Sequence, residues 1–185
     1  MEKIFLRENE SIKKDIESLY NSAFPEDERP PFFHTYDVFL KTEESFIVGY
    51  YENNEFIGYI HYVIYLDILY IAFFAIVESK RNQGYGTTIL NDIRESYPFH
   101  TLLLCFEEVN KKYPDFDNRI KRMKFYEANG YIDNGLKTQE GDVIYQSAYN
   151  GSMKVSYQEY QQIFDLVYGK DAHKTYLKQV KQLNL

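Results

Sequence analysis

Tryptophan is absent from this chain, and cysteine occurs once, at Cys105. A lone thiol closes no internal disulfide, which excludes a scaffold stapled by disulfide bridges. Its neighbours Leu102, Leu103, Leu104 and Phe106 give it the setting of a buried strand residue in a reducing compartment. No window approaches the roughly 20 apolar residues that a bilayer-spanning helix needs, so no membrane association is expected. The segment Met1 to Glu10 carries three glutamates and no apolar stretch of the kind that forms a signal-peptide core. The expected location is therefore cytoplasmic. The four histidines, His34, His61, His100 and His173, show no ligand spacing with one another or with Cys105, and no metal is expected. Basic residues are outnumbered, with a formal net charge of −7, and they cluster only at Arg119 to Lys124. Such a field repels a polyphosphate backbone, so nucleic acid is not expected as a partner.

What the chain does have is 19 tyrosines and 14 phenylalanines among 185 residues that are 44% hydrophobic, enough for one domain with a real core. Lys3 to Arg7 reads as a first strand. Ile12, Ile16, Leu19, Tyr20 and Ala23 then fall at helical spacing until Pro25. Three prolines between Phe24 and Phe32 force a loop, followed by a short helical piece near Tyr36 to Leu40. Ser45–Tyr51 and Phe56–Tyr65 read as a hairpin across Glu52-Asn53-Asn54-Glu55. The run Ile68 to Val77 is apolar on both alternating faces, as in a central strand covered on both sides.

A strand–helix–strand unit comes next: Ile89, Leu90, Ile93 and Tyr97 at helical spacing, Pro98 as the stop, and Thr101 to Phe106 as a second apolar strand parallel to the first. Asp117 or Asn118 can cap a further helix through Ala128, and Asn129-Gly130 supplies its left-handed stop before strand resumes at Tyr131. Gln139 to Asp142 reads as a turn into a strand from Val143 to Tyr149. The tail opens on a capping box, Ser156 to Glu159, ahead of the stripe Tyr160, Ile163, Phe164, Val167 and Tyr168.

The most informative segment is Arg81-Asn82-Gln83-Gly84-Tyr85-Gly86, between the apolar strand and its helix. Two glycines permit a tight turn and close approach of a ligand, and the helix start offers unpaired N–H groups and a positive dipole end to a phosphate. A dinucleotide fingerprint would require a third glycine and a first-strand position. A nucleoside-triphosphatase loop would require Gly-Lys-Ser/Thr, which is missing.

Arg81-x-x-Gly84-x-Gly86, followed some 40 residues later by Phe125-Tyr126-x-x-x-Gly130-Tyr131, resembles the GNAT superfamily of acyl-CoA-dependent N-acetyltransferases. The resemblance covers Lys3 to Tyr149 in element order and is specific over Ile71 to Tyr131. It implies an α/β fold, a single GNAT-like domain with a mixed twisted sheet of six or seven strands flanked by helices. The core would span residues 1–150, with an added C-terminal helix in a 151–185 extension packed on the same domain.

It also implies acetyl-CoA as co-substrate. Pantetheine would lie where the fourth and fifth strands splay, bonded to backbone near Ala75 and Ile76, and amides from Arg81 to Gly86 (Asn82, Gln83, Gly84 and Tyr85 between them) would hold the pyrophosphate. Asn118, Arg122 and Phe125 are further positions expected beside the cofactor.

The implied reaction is direct attack of a primary amine, from a small molecule or peptide, on the thioester in a ternary complex. Tyr126 matches the position of the phenol that protonates the departing thiolate. The fourth strand carries no acid before Glu78, a departure from the pattern, so the base is expected to be Glu107 or its neighbour Glu108, with Glu107 favoured. That missing acid also motivates an alternative, a non-catalytic acyl-CoA-binding sensor or interaction module. The loop Phe24 to Phe32 and the connection Gly135 to Asp142 are the expected acceptor side, with Glu26, Asp27, Glu28, Glu140 and Asp142 as acids facing a cationic amine. The C-terminal segment is expected to cover a sheet edge. Its apolar stripe could alternatively bury itself in a second subunit, giving a homodimer.

Overall fold

Alternating and doubly apolar runs combine into one mixed sheet in the computed structural model of the protein, which describes residues 1–26, 29–140, 142–170 and 180–183. The strands are β1 (Glu2–Phe5), β2 (Ser45–Glu52), β3 (Glu55–Tyr65), β4 (Ile68–Ile76), β5 (Thr101–Glu107), β6 (Ile132–Glu140), β7 (Val143–Asn150) and β8 (Val180–Gln182). Their spatial order is β1-β2-β3-β4-β5-β7-β6-β8, and only β4 and β5 run parallel. The helices are α1 (Lys13–Ala23), α2 (Phe32–Lys41), α3 (Tyr85–Ser96), α4 (Phe116–Ala128) and α5 (Tyr157–Tyr168).

The two faces of the sheet bury separate cores. Tyr59, Val63, Tyr70 and Phe73 join Ile16, Leu19, Tyr20 and Phe39 of α1 and α2 with Tyr160, Ile163 and Phe164 of α5. Tyr62, Leu69, Ile71, Leu102, Leu104 and Phe106 join Ile89, Leu90 and Ile93 of α3 on the other face. This double cover is why β4 reads as apolar on both faces.

Two irregularities in β4 fix where the sheet opens. Its pairing with β5 runs only from Ile68↔Thr101 to Ile71↔Leu104. In its pairing with β3, Ile71 opposes Tyr62 and Phe73 opposes His61, so Ala72 is an extra, bulged residue. A bulge bends its strand and raises local twist. β4 therefore turns away from β5 at the residue where their ladder ends.

The β2–β3 hairpin turns through Asn53 and Asn54, both left-handed at φ 51° and 64°, as a tight two-residue loop of this twist requires. Gly130, at φ 82°, closes α4 as the sequence predicts. The cap of α4 differs: its N-terminal flanking residue is Asp115, ahead of the predicted Asp117 or Asn118. The Asp115 carboxylate binds Arg119 Nε at 2.8 and 2.9 Å in place of capping. The predicted 139–142 turn is shorter, because β6 continues through Glu140 and pairs it with Val143. The Gly135 to Glu140 stretch is thus strand rather than an open connection.

The capping box at Ser156 and Glu159 is present, with both reciprocal bonds. All five residues of the α5 stripe are buried in the chain's own core against α2 and β3, so that stripe is not available to a second subunit. β8 pairs with β6 and covers the sheet edge, adding an eighth, three-residue strand to the six or seven expected.

Candidate active site

The divergence of β4 from β5 opens a cleft of about 900 Å³ through the sheet. Its walls are Tyr70 to Ile76 of β4, Leu104 to Glu107 of β5, the loop around Arg81, and α4. Val77 N–H donates to Ile57 O on β3. Backbone groups of alternate strand residues point to opposite sides, so Ala75 also turns toward β3, and the N–H groups of Phe74 and Ile76 face the opening. Of the two backbone positions expected to meet a ligand, Ile76 is the one with a free face.

Beyond Ile76 the chain forms an amide cradle. Arg81 N–H bonds back to Glu78 O, and the next main-chain bond is Thr88 N–H to Gly84 O. The N–H groups from Asn82 through Thr87 have no acceptor among the described residues, the last three because they open α3. Asn82 and Gly84 adopt left-handed dihedrals, φ 60° and 86°, which turn successive N–H groups into an anion-binding concavity.

The two glycines serve different needs. Gly84 has open space around it and needs its φ; Gly86 needs its missing side chain, since a Cβ there would lie 3.0 Å from Phe125 Cζ. Phe125 in turn lies 6.5 Å from the Phe74 ring, packing α4 onto the mouth of the cleft.

Arg81, Asn82, Gly84, Gly86, Asn118, Arg122, Phe125, Tyr126 and Glu107 all line the cleft. Gln83 and Tyr85 do not: the Gln83 amide caps Ser79 O at 2.8 Å, and the Tyr85 hydroxyl donates to Glu52. Only their backbone N–H groups remain in the cradle. Arg81 Nε donates to Ile76 O at 3.1 Å, tying the cradle to the end of β4, while Lys80, Lys121 and Arg122 add positive charge along the rim. The α4 basic cluster is thus divided, with Arg119 turned inward and stacked 4.0 Å from the Tyr113 ring. Glu107 is buried and paired with Arg122. Glu108 is held by Lys112 and Lys137 at 3.1 and 3.0 Å, and the two ion pairs keep its carboxyl below the usual carboxylate range, against the opposing effect of burial.

Tyr126 packs between Phe106, Phe125 and Tyr131, with ring centroids 5.5, 5.3 and 5.8 Å away. Burial raises its pKa above the usual phenol value, against a smaller opposing pull from Arg122. The hydroxyl stays protonated and has no hydrogen-bond acceptor among the described residues. Cys105 lies deeper in the same cleft, where burial pushes its thiol up to about 12 and leaves it a poor nucleophile.

The sequence profile described as the acetyltransferase (GNAT) family matches residues 13–131. The chain belongs to that family. Among solved structures, an acetyltransferase of the GNAT family from Bacteroides thetaiotaomicron shares 20% identity at a TM-score of 0.73, covering 91% of this chain and 99% of that one. An aminoglycoside 6'-N-acetyltransferase complexed with coenzyme A shares 17% at 0.64, covering 81% and 96%. A variant of the spermidine N-acetyltransferase from Vibrio cholerae shares 13% at 0.61, covering 81% and 94%. No individually curated protein sequence matches the chain. The shared fold is the GNAT fold.

In this GNAT-family chain the far side of the cleft is an aromatic chamber. Phe24 and Pro25 from the α1–α2 loop, Tyr70 and Phe73 of β4, Tyr145 of β7 and Tyr168 of α5 line it. Phe73 meets Phe24 and Tyr168 edge-on at 5.2 and 6.1 Å. Asp27 and Glu28, two acids expected on this side, lie outside the described residues; Glu26 is described and faces a separate surface hollow with Arg29. His34 is turned away, its Nε2 2.9 Å from Tyr168 O. Among the described residues, Glu140 is the acid that lines the chamber. It accepts from Tyr160 Oη at 2.6 Å and Thr138 Oγ1 at 3.2 Å, and burial raises its pKa despite both bonds. The sequence marks Glu140 only as one of several loop acids. Leu136, Thr138 and Glu140 share one strand face, and that period of two was the available sign that the residue turns inward.

Proposed function

We propose that the protein is an acyl-CoA-dependent N-acetyltransferase that moves an acetyl group from acetyl-CoA to a primary amine by direct attack in a ternary complex. The observation that carries this reading is the continuity of free main-chain donors, from Phe74 and Ile76 at the strand opening to the 82–87 cradle. An extended ligand with an amide-bearing arm and a diphosphate matches that sequence of donors. The arm pairs with the open strand face, and the diphosphate meets the helix start and the Arg81, Lys121 and Arg122 rim.

In this reading the Ile76 N–H polarises the thioester carbonyl. A donor already aimed at a developing oxyanion contributes about 3 kcal/mol of barrier lowering. Tyr126 protonates the departing thiolate. Cys105, with its thiol kept protonated, does not form an acyl-enzyme, which supports single-step transfer over a covalent relay. Glu107, first expected as the base, has its carboxylate occupied by Arg122, and its role here is to fix that guanidinium beside the cradle.

Calorimetry of the full chain with acetyl-CoA, paired with a thiol-release assay on a panel of amines, tests the reading. Binding with turnover supports it. Binding without turnover supports the sensor reading instead, and no heat with acetyl-CoA or free coenzyme A rejects both.

A further inference from the structure

We propose that Glu140 is the group that receives and deprotonates the acceptor amine, and that the acceptor is a singly charged primary amine on an aromatic or other apolar body. The inference rests on the acetyltransferase reading and adds to it the base and the substrate class.

The placement is specific. Glu140 ends β6 on the face that looks into the aromatic chamber, on the opposite side of the sheet opening from the cradle and α3. No lysine or arginine among the described residues pairs with it, whereas Glu107 and Glu108 both have cations. Among the described residues, the titratable groups around it are Tyr70 on β4, Cys105 on β5, and Tyr160 and Tyr168 on α5, with Tyr145 of β7 on the same wall. Burial holds Tyr70, Cys105, Tyr160 and Tyr168 protonated. Glu140 is thus the carboxyl group of this cluster, and burial raises its pKa above the usual carboxylate range. A carboxylate that meets no lysine or arginine among the described residues and is walled by rings is complementary to one ammonium: the charge meets the carboxylate and ring faces, and the body stacks on Phe24, Phe73 and Tyr168. A polyamine would bring further positive charges to a chamber whose described residues hold no second free carboxylate.

The steps balance. The ammonium gives one proton to the Glu140 carboxylate, leaving a neutral amine and a carboxylic acid. The amine lone pair forms the C–N bond to the thioester carbon, and collapse breaks the C–S bond as Tyr126 protonates the sulfur. The resulting phenolate takes the second nitrogen proton, and Glu140 releases the first to solvent with the product amide.

The test compares two probes with acetyl-CoA and the full chain: 2-phenylethylamine, which arrives as an ammonium, and aniline, which arrives neutral and needs no base. Glu140→Gln is expected to lower kcat/KM for 2-phenylethylamine by about 100-fold or more, the usual scale of a placed base, and to change aniline turnover less than about threefold. Acetyl-CoA affinity by calorimetry should match the wild type. Tyr160→Phe keeps the carboxylate but removes a donor that stabilises its charged form. It should move the acid limb of the 2-phenylethylamine profile to higher pH and leave aniline unaffected.

Equal loss on both amines, unchanged 2-phenylethylamine turnover in Glu140→Gln, or a preference for spermidine over 2-phenylethylamine would each overturn the proposal while acetyl-CoA binding and transfer stand. Absence of acetyl-CoA binding in the wild type would instead remove the reading beneath it.

Discussion

Ile71 and Leu104 are the last partners across the parallel β4–β5 seam, and the next residue of β4, Ala72, is the bulged one. Because Ala72 is the surplus residue, deleting it keeps Phe73 and Ala75 on one face and Phe74 and Ile76 on the other. The fold is therefore expected to survive with a cooperative melt, while a straightened β4 runs alongside β5 and narrows the cleft. Acetyl-CoA affinity should fall at least about tenfold, an effect of about 1.4 kcal/mol, read by calorimetry. A deletion variant that binds as the wild type does would show that the bulge does not create the opening.

The cradle glycines make separable predictions. Gly84→Ala forces a side chain into φ 86°, and left-handed backbone costs about 1–2 kcal/mol for a residue with a Cβ. Urea denaturation should register that loss. Gly86→Ala has no dihedral penalty but meets the Phe125 ring, so the ring shifts and the mouth of the cleft changes shape. Its signature is weakened acetyl-CoA binding out of proportion to any change in the urea midpoint. If both variants lost stability equally, the distinction between the two positions would be mistaken.

These glycines were legible in the sequence because the demand they meet is local: a strand, a turn, a helix start and no Cβ. The same holds for the Ser156 capping box and the Asn53-Asn54 turn. What escaped depends on contacts distant in the chain. Glu140 is held as a half-buried acid by Tyr160, which lies 20 residues away on a helix packed across the sheet. Glu107 gains its partner from α4. The α5 stripe looked equally suited to a partner subunit, since amphipathicity says that a face must be covered and not by what. β8, at three residues, is too short to show a period, and its pairing with β6 is set by the sheet edge it meets.

Tyr126→Phe keeps the ring among Phe106, Phe125 and Tyr131 and removes only the hydroxyl. Turnover with a saturating amine is expected to drop about 100-fold, the lower end for a placed proton donor, with acetyl-CoA affinity within about twofold of wild type. Single-turnover kinetics separates this chemical defect from slowed product release. Full activity in the variant would take the phenol out of the mechanism.

His61 is fully buried between the Phe39 and Phe73 rings; Ser45 Oγ lies 2.8 Å from its Nε2, and its Nδ1 has no partner among the described residues. Burial pushes its pKa from 6.5 down to about 3. Below pH 6.5 the unfolded chain binds a proton at this imidazole that the folded chain refuses, so stability is complete above 6.5 and falls as pH drops toward 3. The slope approaches about 1.4 kcal/mol per pH unit, which amounts to about 2 kcal/mol between pH 6.5 and 5. His61→Gln can keep a hydrogen bond to Ser45 and carries no titrating ring. Unfolding free energies from urea denaturation at pH 7 and pH 5 should therefore diverge less in the variant than in the wild type by about that amount, with the carboxylate contributions cancelling in the comparison. An identical pH dependence in the two proteins would mean that the imidazole takes up its proton without unfolding, and that the site between the two rings is wetter than its burial implies.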